Sequence, residues 1–153
     1  MPLTRFAGYN RYPRQWLIPM PIALVQTNSL FYAPTKTGVV TAFLNLPESG
    51  SEKASEHSFA HPPSRLVSST EAEWTSVFYG LTLAIQMDQS IIGLESNSLG
   101  IIRSILFNSP GKQDYARYYN YKIHRIGREV EWCGIRWIPR AENKASQLFS
   151  QLK

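Results

Sequence analysis

The spacing of apolar positions changes along the chain. Early on they form short blocks: IALVQT at 22–27 and GVVTAFLNL at 38–46, the second rich in β-branched residues, predict two strands. NSLFYAPTK follows the first block, with Pro34 inside it, and predicts a turn or hairpin. The serine, glycine and proline of residues 47–63 predict a polar loop, and SRLVSS at 64–69 a third strand. From Thr70 the period becomes helical. Trp74, Val77, Phe78, Leu81 and Ile85 recur at 3.6-residue spacing across 70–87, and Thr70 with Glu73 three positions on reads as a capping box. SIIGLES at 90–96 predicts a buried strand and SLGIIRSILF at 98–107 a short helix, closed by SPGKQ. Residues 114–129 predict a helix with Tyr115, Tyr119, Ile123 and Ile126 on its inner stripe and Lys122, Arg125 and Arg128 on the other side. VEWCGIRWI at 130–138 predicts a strand with a bulge at Gly134, ended by Pro139. Ala145, Leu148, Phe149 and Leu152 give a last helix its apolar face.

Three strands, a helix, a strand, two helices, a strand and a helix make an α/β chain. That order predicts a five-stranded mixed sheet, antiparallel in its first three strands and parallel afterwards, flanked by helices. Residues 20–153 read as one domain, and residues 1–19 as a basic, aromatic N-terminal arm, with no internal repeat.

Composition narrows the class. With 43% hydrophobic and 18% charged residues the chain is globular rather than disordered. No apolar run approaches a membrane span of ~18 residues. The net charge of +5 points to an acidic partner, nucleic acid foremost, with plain solubility as the alternative. The first acid is Glu48, so the charges before it are Arg5, Arg11, Arg14 and Lys36, interleaved with Tyr9, Tyr12 and Trp16. Such a segment either grips phosphates while its rings stack on bases, or packs as a strap on the core. Cys133 is the single cysteine, which excludes an internal disulfide and a cysteine zinc site and fits an intracellular protein of unassigned compartment. His57 and His61 lie four apart, but beside a double proline that opposes the helix such a metal pair needs. His124 and Cys133 have no catalytic partner nearby in sequence and read as structural, and SPGKQ lacks the spacing of a phosphate loop.

STEAEW with GLTLAI behind it, GLESNSLGIIRSI, and WIPRAENKASQLF resemble, in their order and spacing, the ribonuclease H-like superfamily, in particular its compact domains in cellular enzymes and retroelements. The resemblance covers roughly residues 20–152. It implies a carboxylate in each stretch and a fourth at the end of the first strand, holding two divalent ions about 4 Å apart for phosphodiester hydrolysis. Those positions fall on Thr27, Glu73, Asn97 and Ser146, so one acid of four is retained. Asn28 and Ser29 are not acids either, and residues 1–47 contain no Asp or Glu. The expectation is a catalytically inactive domain without metal or other cofactor. It would bind RNA or an RNA/DNA hybrid, or serve a nucleic-acid-containing assembly that also offers protein partners. The candidate contacts are Arg5, Arg11, Arg14, Lys36, Lys122, Arg125, Arg128 and Arg140. Two alternatives stand beside it: a structural module that docks on protein, and a Mg- or Mn-dependent nuclease with a rearranged set from Glu73, Glu95 and Glu142. Glu73 stays open between helix cap and residual active-site acid.

Overall fold

The computed structural model describes residues 7–9, 21–47 and 54–151. Its centre is a mixed sheet. Strand β2 (Ala23–Tyr32) lies between β3 (Thr37–Pro47), which runs antiparallel to it, and β6 (Ile91–Ser96), which runs parallel. Beyond β3 comes the antiparallel edge strand β4 (Ala54–Ala60), and beyond β6 the parallel strand β7 (Trp132–Trp137). This is the expected five-stranded arrangement. Two short strands extend it: β1 (Ala7–Tyr9) runs parallel to β7, and β5 (Ser64–Arg65) pairs the start of β3.

Alternation along the strands sorts the side chains onto two faces. Val25, Ala42, Leu44, Ile92, Leu94, Cys133 and Ile135 face α1 (Ser69–Gln86), α2 (Leu99–Leu106) and α3 (Asp114–Glu129), and bury one continuous core with Trp74, Val77, Leu81, Ile102, Ile105 and Ile123. Gly80 lets α1 settle closely on this face: a Cβ there would stand 2.3 Å from Thr27 Cγ2 and 2.9 Å from Val25 Cγ1. The opposite face carries the one-turn helix α4 (Lys144–Gln147), set between 3₁₀ turns at Arg140–Glu142 and Leu148–Gln151. No helix among the described residues is long and apolar enough to cross a membrane.

Several predicted elements shift. NSLFYAPTK forms the expected hairpin, but most of it is strand. Its backbone stays paired with β3 as far as Tyr32↔Thr37, and residues 33–36 alone reverse the chain, with Lys36 at φ 52°. The third antiparallel strand is the supposed polar loop. Ser55, His57 and Phe59 are half-buried and alternate with exposed Glu56, Ser58 and Ala60, a period-2 pattern that an edge strand can build from polar residues. The strand expected at 64–69 shrinks to the two residues of β5. Ile85, assigned to the inner stripe of α1, is 37% exposed, and Ala84 takes its place in the core. The last helix is a single α-turn in which Ala145 is buried, Leu148 and Phe149 are half-buried, and Leu152 lies outside the described residues.

Candidate functional site

The middle of β2 and the C-terminal ends of β6 and β7 meet the start of α4 in a buried polar network, the polar pocket under α4. Gln26 on β2 stands opposite Glu95 on β6, and Glu95 opposite Arg136 on β7. All three side chains face α4 and are almost fully buried. The Glu95 carboxylate accepts from Gln26 Nε2 at 2.8 Å and from Arg136 Nε at 2.6 Å, and Arg136 Nη2 adds a second donor to the same oxygen. Gln26 also ties down α4: its Oε1 accepts from the Lys144 backbone N–H at 2.8 Å, and its Nε2 reaches Glu142 O at 3.3 Å. Asn143 caps α4, its Oδ1 accepting from Ala145 N at 3.0 Å, while its Nδ2 donates to Thr27 O at 2.9 Å and Asn97 Oδ1 at 2.7 Å. Thr41 Oγ1 donates to Ala145 O at 2.7 Å, and Ser146 Oγ to Asn143 O at 2.7 Å. Trp137 Nε1 holds Asn97 O at 3.2 Å.

Glu73 approaches from α1. The helix is capped without it. Ser68 is the N-cap, its Oγ accepting from Glu71 N at 3.2 Å, and Glu71 reaches back to accept from Val67 N at 2.8 Å. The capping box therefore belongs to Ser68 and Glu71, two residues earlier than Thr70 and Glu73. Glu73 is left half-buried beside Ser98, just beyond β6. Burial raises its carboxyl above the ordinary value, and a hydrogen bond from Ser98 partly offsets that.

Of the residues expected at the four acid positions, Asn97 and Ser146 both meet Asn143 in this pocket. Thr27 does not join them through its side chain. Its methyl lies against the Gly80 position on the α1 face and its Oγ1 is buried without a hydrogen-bond partner. Alternation brings Asn28 onto the α4 face instead, its Oδ1 accepting from Ser29 N at 2.8 Å. Neither Thr27 nor Asn28 carries an acid. The residues present do not fit a pair of divalent cations. Asn28, Asn97 and Ser146 offer neutral oxygens, the Glu95 charge is matched by Arg136, and Glu142 is exposed, with only its backbone carbonyl turned into the network. Glu73 stands apart from this pair, half-buried beside Ser98, and the described residues contain no cluster of three or more His, Cys, Asp or Glu placed to hold a metal.

The predicted basic contacts are not one surface. Arg5, Arg11 and Arg14 lie outside the described residues, whereas residues 7–9 between them form β1 on the sheet edge. Lys36 on the β2–β3 turn and Arg140 before α4 are exposed at the sheet end where Asn97 lies. Lys122 sits over the Tyr118 ring at 5.5 Å, Arg125 pairs with Glu129 at 3.1 Å, and Arg128 is exposed; these belong to α3, across the sheet from α4. Sequence reasoning missed Lys144, which reaches over Phe43 at 5.0 Å and lies 3.8 Å from Glu56, and it missed the tie made by Gln26 and Asn143. The signal for Asn143 was an amide immediately before a helical turn. His57 packs beside Phe59, and Cys133 is buried with its thiol pushed up to about 12 by desolvation.

Comparison with known proteins agrees with this geometry. The structure is similar to a ribonuclease H1 from Halobacterium salinarum (TM-score 0.65, 14% identity, covering 80% of this chain and 89% of that one). It is also similar to the N-terminal ribonuclease H domain of a Mycobacterium tuberculosis protein (TM-score 0.66, 13% identity, 84% and 91% covered). A third similar structure is a compost-derived ribonuclease H1 in complex with an RNA/DNA hybrid (TM-score 0.64, 18% identity, 86% and 99% covered). These likenesses establish the fold. The sequence model of the reverse transcriptase-like family matches residues 57–152, and the chain belongs to that family within the ribonuclease H-like superfamily. No curated protein matches it in sequence.

Proposed function

We propose that this chain is a non-catalytic ribonuclease H-like domain that binds nucleic acid, RNA or an RNA/DNA hybrid, across the sheet end framed by Arg140, Lys144 and Lys36. The observation that carries this reading is the pocket under α4. Where two-metal chemistry needs converging carboxylates, this chain has amides and hydroxyls bonded to one another, and its one buried carboxylate on that face is neutralised by Arg136. A surface over a network without surplus negative charge repels a phosphate less, and the exposed cations beside it supply attraction. The RNA/DNA hybrid held by a structurally similar enzyme supports nucleic acid as the ligand.

The test pairs cleavage with binding. A labelled RNA/DNA hybrid is incubated with the full chain in Mg²⁺ and in Mn²⁺, and its affinity is measured against salt. The expected result is no turnover, and a log–log salt slope that becomes shallower by about one unit in Arg140→Gln or Lys144→Gln. Turnover abolished by Glu73→Gln overturns the non-catalytic half. Absence of binding at low salt overturns the other half and favours a protein-docking module.

A further inference from the structure

Between the end of α2 and the outer side of α3 runs a groove of about 410 Å³ whose lining differs from the pocket under α4. Phe107 and Tyr121 line it with rings that are 68% and 58% exposed. Arg117 and Arg128 contribute guanidinium groups, and among the described residues no Asp or Glu lines it. Asn120, only 5% exposed, stands in its wall. Its Nδ2 donates to Asn108 Oδ1 at 2.8 Å, which fixes the amide in that wall. Arg117 Nε donates to Gly111 O at 3.3 Å, one of the five donors a guanidinium carries. His124 Nε2 donates to Ile105 O at 2.9 Å, and burial holds its pKa below the ordinary value, so the positive charge of the groove comes from the arginines.

Arg117, Tyr121, His124 and Arg128 recur at intervals of four, three and four residues and so form one stripe of α3, about 16 Å long at the rise of an α-helix. That is too long for a single phosphate. It suits a short run of single strand, with a stacked base between two backbone charges. Because α3 leads into the start of β7, Arg128 lies toward the sheet end remote from Asn97. The groove lies on α3, across the sheet from α4, and is separate from the surface assigned above.

We propose that this groove takes single-stranded RNA: phosphates at Arg117 and Arg128, and a base stacked on the exposed ring of Tyr121 or Phe107.

Fluorescence anisotropy with labelled adenine and uracil oligoribonucleotides of about ten residues tests this on the full chain. Both strands should bind, the adenine strand the more tightly because the larger base stacks better on the exposed rings. Tyr121→Ala should weaken it about tenfold, and Arg117→Gln should weaken it while flattening its salt dependence. Both side chains are exposed, and thermal melting of the variants checks that the fold is intact. Hybrid affinity should stay within about twofold in Tyr121→Ala, which separates this groove from the sheet-end surface. Unchanged oligonucleotide binding in both variants overturns the proposal, as does capture of an acidic peptide in place of RNA. Loss of hybrid binding alone in Arg140→Gln bears on the earlier reading and leaves the groove assignment standing.

Discussion

The two faces of the central sheet are made of different materials. Toward α1 and α3 the strands present Val25, Ala42, Leu44, Ile92, Leu94 and Ile135, which pack without directional bonds. Toward α4 they present Gln26, Thr41, Glu95 and Arg136, each committed to a named hydrogen bond or ion pair. The first face gains stability by removing apolar area from water, and tolerates exchange among residues of similar volume. The second holds α4 through particular atoms and fails when one partner is lost. The difference extends to charge: the one buried carboxylate of the α4 face, Glu95, is paired with a cation from the next strand.

The largest effect that would test this contrast comes from dividing the ion pair. Arg136→Met should cost about 3–5 kcal/mol in denaturant unfolding, because it strands a buried Glu95 carboxylate, and Arg136→Met with Glu95→Leu should recover the larger part. If the single variant costs under about 1 kcal/mol, the polar face does not depend on the pair and the contrast collapses. A smaller effect, of opposite sign, is expected on the apolar face. Thr27 Oγ1 is buried there without a partner, so the near-isosteric Thr27→Val should stabilise by about 1 kcal/mol. Destabilisation of that size would instead place the hydroxyl in a bonding role.

The smallest effect lies where α1 approaches the strand ends. Burial raises the Glu73 pKa in the folded chain above its unfolded value. Between those values the folded state binds more proton than the unfolded one, so stability falls as pH rises through the window and is level above it. Glu73→Gln removes that fall. It should melt about 1–2 °C above the parent at pH 7 and with the parent below about pH 4. A variant that melts lower at pH 7 would mean that the charged carboxylate has a stabilising partner.

The sequence by itself made much of the fold legible. The 3.6-residue period fixed α1 through Trp74, Val77 and Leu81, and the apolar blocks fixed the inner strands, because burying such residues is the dominant favourable term and their spacing needs no partner to be read. The absence of acids in residues 1–47 was equally independent of structure. The edge strand β4 was missed because its ladder bonds come from the backbone, which any sequence carries, while its side chains are polar. The cap of α1 was misplaced by two residues because two hydroxyl–acid pairs, Ser68 with Glu71 and Thr70 with Glu73, fit the same motif. Only the tertiary structure chose between them. It alone also turned Thr27 away from the pocket and Asn28 toward it, joined Glu95 to Arg136 across 41 residues, and bound Gln26 to Lys144 across 118. Hydrogen bonds and ion pairs depend on atoms meeting within about 3 Å at a suitable angle, a condition set by strand register and helix docking that composition and period do not encode.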